Sequence, residues 1–322
     1  MISNSRFILF LFTGVVFFIC YFLSTPSKSQ EFSHKSLPSN SPELIVLGIA
    51  QDAGYPQADC KKSCCMNVWK DHSKRKMVSS LGVRDPISRQ AWLFDATPDF
   101  RDQWQILSDS KYYDLAGIFL THAHMGHYTG LLNLGREAMG AEEVPVYAMP
   151  RMKDFLSANG PWDQLVKLKN ISIQLLRNDK PQILTKTIQI THFKVPHRDE
   201  YSETVGYKIL GPNKKVLFIP DIDKWHKWDT DIISLIQEVD IAFLDGTFYR
   251  NGEIRGRDMS LIPHPFIEES LKLFSGLPKQ EKDKIHFIHL NHTNPLLKKE
   301  VEYQKVKDLG FHVAAEGFLI KI

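Results

Sequence analysis

The densest group of metal-capable side chains in the chain is the run Thr121-His122-Ala123-His124-Met125-Gly126-His127. It sits where the apolar run Ala116-Gly117-Ile118-Phe119-Leu120 stops and a helix-patterned stretch begins. Histidines two residues apart at a strand end point to one side, and a third at the start of the next helix can face them across the turn. Neutral imidazole is a ligand for zinc, iron and similar ions, so three convergent rings make a metal site. A polar loop with chance histidines is the competing reading, but three of the 13 histidines within six residues disfavour it. The pattern alone fixes neither the metal nor the reaction.

Similar chemistry recurs where other apolar runs end. Asp95 follows Ala91-Trp92-Leu93-Phe94; it either caps the helix expected over 99–109 or stands behind a ligating histidine and orients it. Pro196-His197 closes a strand-rich segment beside several charged groups, which makes His197 a candidate fourth ligand. Lys215-Val216-Leu217-Phe218-Ile219-Pro220-Asp221 is the clearest strand-then-acid in the chain. A carboxylate there can bridge two ions or complete the shell of one, the alternative being a plain turn. Ile241-Ala242-Phe243-Leu244 runs into Asp245-Gly246-Thr247, which repeats the strand-then-acid theme, a plain tight turn at Asp-Gly being the alternative. His289 ends a further strand; alternation puts His286 on the other face, as a bystander, and His192 reads as an ordinary strand side chain. The loop 255–260, ahead of Pro263-His264-Pro265, is long enough to cover a site and could supply Arg257, Asp258 or His264.

Cys60, Cys64 and Cys65 are three of the four cysteines in the chain. A disulfide, a structural zinc and reduced bystanders are all open to them. One disulfide leaves a thiol over, whereas zinc takes thiolates in any number with a histidine completing four, so zinc leads.

The elements that must position these groups alternate between strands and helices, which argues α/β. Strands are expected over 44–50, 91–94, 116–120, 144–149, 215–220, 241–244 and 311–320. The segment 171–195 reads as several strands in an antiparallel portion of a mixed sheet. Helices are expected over 99–109, 128–139 (with Gly130 as a close-packing point), 151–157, 266–274 and 296–309. Gln51-Asp52-Ala53-Gly54-Tyr55-Pro56 reads as a turn.

With 322 residues, 43% of them hydrophobic, the chain can bury a large core, and a net charge of +3 gives no basic stripe for a nucleic-acid partner. Residues 7–23 form an almost unbroken apolar run preceded by Arg6. At about 1.5 Å per residue it spans roughly 25 Å, enough for a membrane anchor and compatible with a long signal segment. No small-x-small cleavage site follows, so an uncleaved anchor is favoured, and Cys20 reads as a membrane-embedded thiol. Residues 24–42, rich in Ser, Pro and Lys, form a flexible linker, and 43–322 the folded domain. The domain would then be exported, periplasmic or extracellular, or secreted if the segment is cleaved.

Strand-Asp, His-x-His-x-x-His, loop His, strand-Asp and strand-His, in this order over 43–322, resemble the metallo-β-lactamase fold. The cysteine cluster, Asp245-Gly246-Thr247, the run 256–259 and His289 to Pro295 are similar to the pyrroloquinoline quinone biosynthesis protein B family and related phosphodiesterases. The resemblance implies a four-layer αββα sandwich with metals at one edge. It implies a first metal on His122, His124 and His197, a second on His127 and His289, and Asp221 between them. It also implies that His292 joins Cys60, Cys64 and Cys65 around a structural zinc.

Two departures follow from the same resemblance. The superfamily normally has Asp where this chain has Gly126, so the second metal position should be weakened. The tRNA-processing nucleases of the fold carry His-Glu-Ala-Thr where this chain has Leu244-Asp245-Gly246-Thr247, so their leaving-group acid is missing and an RNase role is disfavoured. The expected function is a metal-dependent hydrolase of a small-molecule substrate, with Asp221, His264 and Asp95 as catalytic candidates. Zinc is the expected ion, and iron or manganese would also suit the active site. A metal-dependent hydroxylase in quinone cofactor biosynthesis and a non-catalytic, membrane-tethered carrier are the competing functions.

Overall fold

The computed structural model describes residues 40–177 and 180–322. The anchor expected at 7–23, and the linker as far as residue 39, lie outside them. Among the described residues no helix is long and apolar enough to cross a membrane.

Two seven-stranded sheets form the domain. The first holds β1 (Glu43–Gly48), β2 (Ser80–Asp85), β3 (Gln90–Phe94), β4 (Asp114–Phe119), β5 (Val144–Ala148) and β6 (Ile171–Leu175). The second holds β7 (Gln182–Ile183), β8 (Gln189–Lys194), β9 (Val205–Leu210), β10 (Lys215–Ile219), β11 (Ile241–Asp245), β12 (Ile285–Ile288) and β13 (His312–Val313). The last strand, β14 (Leu319–Lys321), returns to pair with β1. Both sheets follow one plan, antiparallel up to β3 in the first and β10 in the second, then parallel to β6 and β13.

Strand alternation sorts the core. Leu44, Val46, Trp92, Phe94 and Phe119 face the second sheet, where they join Tyr207, Ile209 and Phe218. Ile45, Leu47, Leu93 and Ile118 point the other way, against Phe100, Leu107, Leu131, Met152 and Leu156 of the outer helical layer. Helices at Ile232–Gln237, Ile267–Leu273 and Val301–Asp308 cover the second sheet with Ile236, Ile267 and Val306. The result is the expected four-layer αββα sandwich. Strands β10 and β11 are buried on both faces, which is why they read as continuous apolar runs.

Several expected elements differ in detail. The helix expected over 128–139 is a short turn of helix at Met125–Tyr128 followed by a 3-10 segment, Thr129–Leu134. Gly130 is the close-packing point foreseen: a Cβ there would lie 2.1 Å from the Thr97 carbonyl oxygen. The segment 171–195 divides between sheets, β6 pairing in parallel with β5 and β8 antiparallel to β9. The helix expected over 296–309 breaks at Lys299, which adopts φ 55° between a 3-10 turn and Val301–Asp308. The strand expected over 311–320 is two short strands on different sheets, parted by Gly317 at φ 79°. Each pattern has the right apolar spacing; a local left-handed residue or a switch of partner decides where it stops.

His286 is the bystander that alternation assigned. Its ring lies 4.7 Å from His312 and 5.5 Å from Phe318, centroid to centroid. Burial pushes its pKa down to about 4, and the neighbouring His312 adds to the effect. In the unfolded chain a histidine titrates near 6.5, so between about pH 4 and 6.5 the unfolded state binds the extra proton. Stability from this group is therefore present above pH 6.5 and falls with pH across that window. Urea unfolding at pH 7 and pH 4.5 should show His286→Phe losing about 2–3 kcal/mol less than the parent chain over this interval. Equal losses would remove His286 as a source of acid sensitivity.

Candidate metal centres

One edge of the two sheets collects the ends of the strands that carry the candidate ligands. Asp95 follows β3, Thr121 and His122 follow β4, and His127 lies on the helical turn Met125–Tyr128. From the second sheet come His197 after β8, Asp221 after β10, Asp245 at the end of β11 and His289 after β12. The two sets meet because the β1 end is stitched to the β12 end, Leu290 N–H donating to Ile49 O at 2.7 Å and Gln51 N–H to Leu290 O at 2.9 Å.

Asp221 is the centre of the arrangement and is 2% exposed. Its Oδ2 lies 3.2 Å from His122 Nε2, 3.9 Å from His124 Nδ1, 3.7 Å from His127 Nε2 and 3.9 Å from His289 Nε2. Its Oδ1 lies 3.3 Å from His197 Nε2 and 3.2 Å from His264 Nδ1. Burial opposes its ionisation, yet His197, His264, His289 and His122 together hold the carboxyl well below its usual range. His122, His124, His197 and Asp221 offer donor atoms all within 4.8 Å of one another.

Beside them lies a second group, His127, His289 and Asp52. Gly126 led to the expectation of a second position without its carboxylate; Asp52, on the loop after β1, stands beside His127 and His289. Its Oδ1 is 3.1 Å from His127 Nε2 and 3.9 Å from His289 Nε2. Asp52 was read only as a turn residue, although it follows its strand much as Asp95 and Asp221 follow theirs.

Two matching relays lock the rings. Asp95 accepts from the Thr121 hydroxyl, from Thr121 N–H at 2.7 Å and from His127 Nδ1 at 2.7 Å. Asp95 therefore orients the His127 ring and does not cap the following helix. With its one proton committed to Asp95, the Thr121 hydroxyl accepts from His122 Nδ1 at 3.0 Å. In the second sheet Thr247 donates to Asp245 at 2.7 Å and accepts from His289 Nδ1 at 2.9 Å, so Asp245-Gly246-Thr247 is more than a turn. His124 Nε2 donates to Glu200 at 3.1 Å. Sequence reasoning missed the threonine relays and the placement of Glu200 and Asp52 beside the histidines. Asp95 at φ 69° and His289 at φ 64° occupy the left-handed region, backbone strain of order 1–3 kcal/mol each that the network holds in place.

This locking decides whether a cation fits. Once their far nitrogens act as donors, His122, His127 and His289 turn lone pairs inward, toward the acceptor oxygens of Asp221 and Asp52. Asp52 Oδ1, Asp221 Oδ1, His127 Nε2, His197 Nε2 and His289 Nε2 are buried with no hydrogen-bond partner among the described residues. Acceptor facing acceptor in a buried site is unfavourable unless positive charge, a proton or a cation, lies between them. Burial keeps His122 well below the usual imidazole range and holds His197 at about 4, so both are neutral and ligand-competent. Burial opposes charge on His127, yet Asp95 and Asp52 hold it well above the usual range, so a metal there would have to displace its Nε2 proton. The donor set fits metal ions.

His264 alone of the covering-loop candidates enters the site. Its Nδ1 lies 2.8 Å from Asp245 Oδ2, and although burial opposes its charge, Asp245 and Asp221 raise it to about 9. Arg257 and Asp258 are exposed; Asp258 accepts from Ser260, while Met259 is buried against Phe248, Ile262 and Phe266 and pins the loop. The run Leu244-Asp245-Gly246-Thr247, expected to lack an acid, thus pairs Asp245 with the His264 imidazole.

A separate group gathers Cys60, Cys64, Cys65 and His292. The thiols are free, Cys60 and Cys64 sulfurs standing 3.6 Å apart, so no disulfide joins them. Burial pushes Cys65 up to about 12, with Cys60 contributing, and burial lowers His292, so its buried, unpartnered Nδ1 is neutral. Three sulfurs and one imidazole are a tetrahedral zinc donor set.

The profile of the Beta-lactamase superfamily domain matches residues 91–287, and the chain belongs to this superfamily. Coenzyme PQQ synthesis protein B of Xanthomonas axonopodis pv. citri is 27% identical over 313 residues, covering 87% of this chain and 99% of the relative. The protein of the same name from Acinetobacter baylyi is 26% identical over 317 residues, with the same coverage of each chain, 87% and 99%. Among solved structures, Zn(2+)-bound PqqB from Methylobacterium extorquens superposes with a TM-score of 0.72 at 23% identity, covering 87% of this chain and all of that one (100%). A diphosphatase from the PhnP family superposes with a TM-score of 0.62 at 21% identity, covering 87% and 96%. At these identities the two structures share the fold.

Elemental analysis separates the two kinds of centre. His122→Ala should lose active-site metal while the cysteine site keeps its zinc, and His292→Ala should do the reverse. Full metal retention by His122→Ala would contradict the active-site assignment.

Proposed function

We propose that the chain is a metal-dependent hydrolase that cleaves an ester bond, carboxylic or phosphoric, in a small molecule. The observation that carries this reading is the hydrogen-bonded pair Asp245–His264 set directly against Asp221, a proton donor beside the central carboxylate. Metal ions held by His122, His124, His197 and Asp221, and by His127, His289 and Asp221, would supply a bound water of pKa about 7 and polarise the scissile group. Asp95 and Thr121 fix the planes of His122 and His127, and Asp245 and Thr247 fix that of His289. Asp245 does double service, since it also holds His264 through Nδ1 and leaves the other ring nitrogen to carry a proton to the departing oxygen. Zinc is the proposed ion at both centres, supported by the three-sulfur, one-imidazole set and by the zinc in the fold neighbour from Methylobacterium extorquens.

A second reading, metal-dependent hydroxylation in quinone cofactor biosynthesis, draws on the name shared by the curated relatives. The imidazole-rich donor set suits iron as well as zinc. Oxygen consumption with iron restored, in place of hydrolysis with zinc or manganese, would favour it. A non-catalytic carrier would have no use for a charged imidazole held against the ligand carboxylate, and is set aside.

Leaving-group dependence tests the role of His264. With esters of poor leaving groups, His264→Gln should lower kcat about 10²–10⁴-fold with metal content unchanged. With p-nitrophenyl esters, whose leaving group departs without a proton, the loss should be far smaller. Equal losses on both substrates would remove His264 as the acid.

A further inference from the structure

We infer that Asp52, on the loop after β1, is the carboxylate ligand of the second metal position, and that Gly126 is a glycine in order to admit it. The inference rests on the metal-binding reading of the site and deepens it by one residue outside the 91–287 match to the superfamily.

Three observations carry it. The first is the direction of the lone pairs. His127 gives its Nδ1 proton to Asp95 and His289 gives its own to Thr247, so Nε2 is the atom that each ring turns to Asp52 Oδ1, 3.1 Å and 3.9 Å away, and the atom that a metal displacing any proton there would take. All three atoms are buried with no hydrogen-bond partner among the described residues, and the two rings are fully buried. The second is the anchoring of the carboxylate. Asn291 Nδ2 donates to Gln51 Oε1 at 2.7 Å, and Gln51 Nε2 donates to Asp52 Oδ2 at 2.9 Å. One oxygen is tied down by neutral amides, and the other is left aimed at the two imidazoles. Asn291 lies two residues past His289, so the ligand and the brace of its neighbour come from the same strand end.

The third observation is the space at Gly126. A Cβ there would lie 2.4 Å from Asp52 Oδ1 and 2.5 Å from Asp52 Cα, the latter a backbone atom that cannot swing aside. Gly126 is not among the positive-φ residues, so its backbone does not need glycine for conformation. What needs the missing side chain is the close passage of Asp52. A side chain at 126 and the carboxylate of Asp52 exclude one another, so this chain has moved the acid to a different loop and has not lost it.

Zinc stoichiometry and affinity in the full chain test this independently of turnover. The parent chain should hold three zinc ions. Asp52→Asn, nearly isosteric, should hold two, or bind the third at least tenfold more weakly under chelator competition. The His122 and Cys60 groups should stay loaded, which also reports a folded protein. Gly126→Ala should reproduce the loss although it removes no donor atom. Retention of all three ions with unchanged affinity in Asp52→Asn would overturn the inference. Loss of the His122-group ion together with the third would overturn it too. Should Gly126→Ala fail to fold, Asp52→Asn decides alone. A chain that binds three ions yet cleaves no ester would contradict the proposed hydrolase and leave this inference standing.

Discussion

Acceptor atoms that converge in a buried place govern this structure. Asp221 and Asp52 bring carboxylate oxygens, and His122, His127 and His289 bring lone pairs, to one buried edge of the sandwich. An unpaired buried acceptor costs on the order of 1–3 kcal/mol, and several facing one another cost more. Cations of suitable size would resolve every contact at once. Asp95, Thr121, Asp245 and Thr247 exist in their positions to keep the lone pairs pointing inward, which makes the demand for positive charge a property of the folded chain.

The two sheets meet that demand with the same device. In each, a carboxylate at the end of a parallel strand binds a threonine hydroxyl, and the threonine fixes a histidine: Asp95–Thr121–His122 in the first, Asp245–Thr247–His289 in the second. The shared strand plan places both relays at the same edge, and the pairing of the β1 and β12 ends closes them around Asp221. Core packing follows: side chains alternate into the space between the sheets, so the strand ends have no freedom to drift apart. The first relay also fixes the His127 ring, through Asp95, and the second, through Asp245, holds His264 charged. The machinery for binding ions and the machinery for moving a proton thus share one carboxylate.

Much of this was legible in the sequence, for a physical reason. His122, His124, His127, His197, Asp221 and His289 each follow an apolar run or turn, so strand periodicity alone brings them to one edge. Their order along the chain added the sandwich. The relays were harder to see, because a threonine beside a histidine looks like any strand end until its single proton is traced. Asp52 was out of reach for another reason: its role depends on empty volume at Gly126, 74 residues away, which no local pattern records. Read alone, Gly126 implied a weakened site; seen with Asp52, it is the opening through which the site is completed. The misplaced helix and strand limits at 128–139, 296–309 and 311–320 share a cause, a turn or a change of partner set by tertiary packing.

Anomalous scattering at the zinc edge, from crystals of the zinc-loaded full chain, would test the arrangement most directly. The account predicts three peaks. One should lie among Cys60, Cys64, Cys65 and His292, and two should flank Asp221, the nearer to His127 within bonding distance of Asp52. A single peak beside Asp221, or a pair that leaves Asp52 hydrogen-bonded to His127 and unligated, would contradict it.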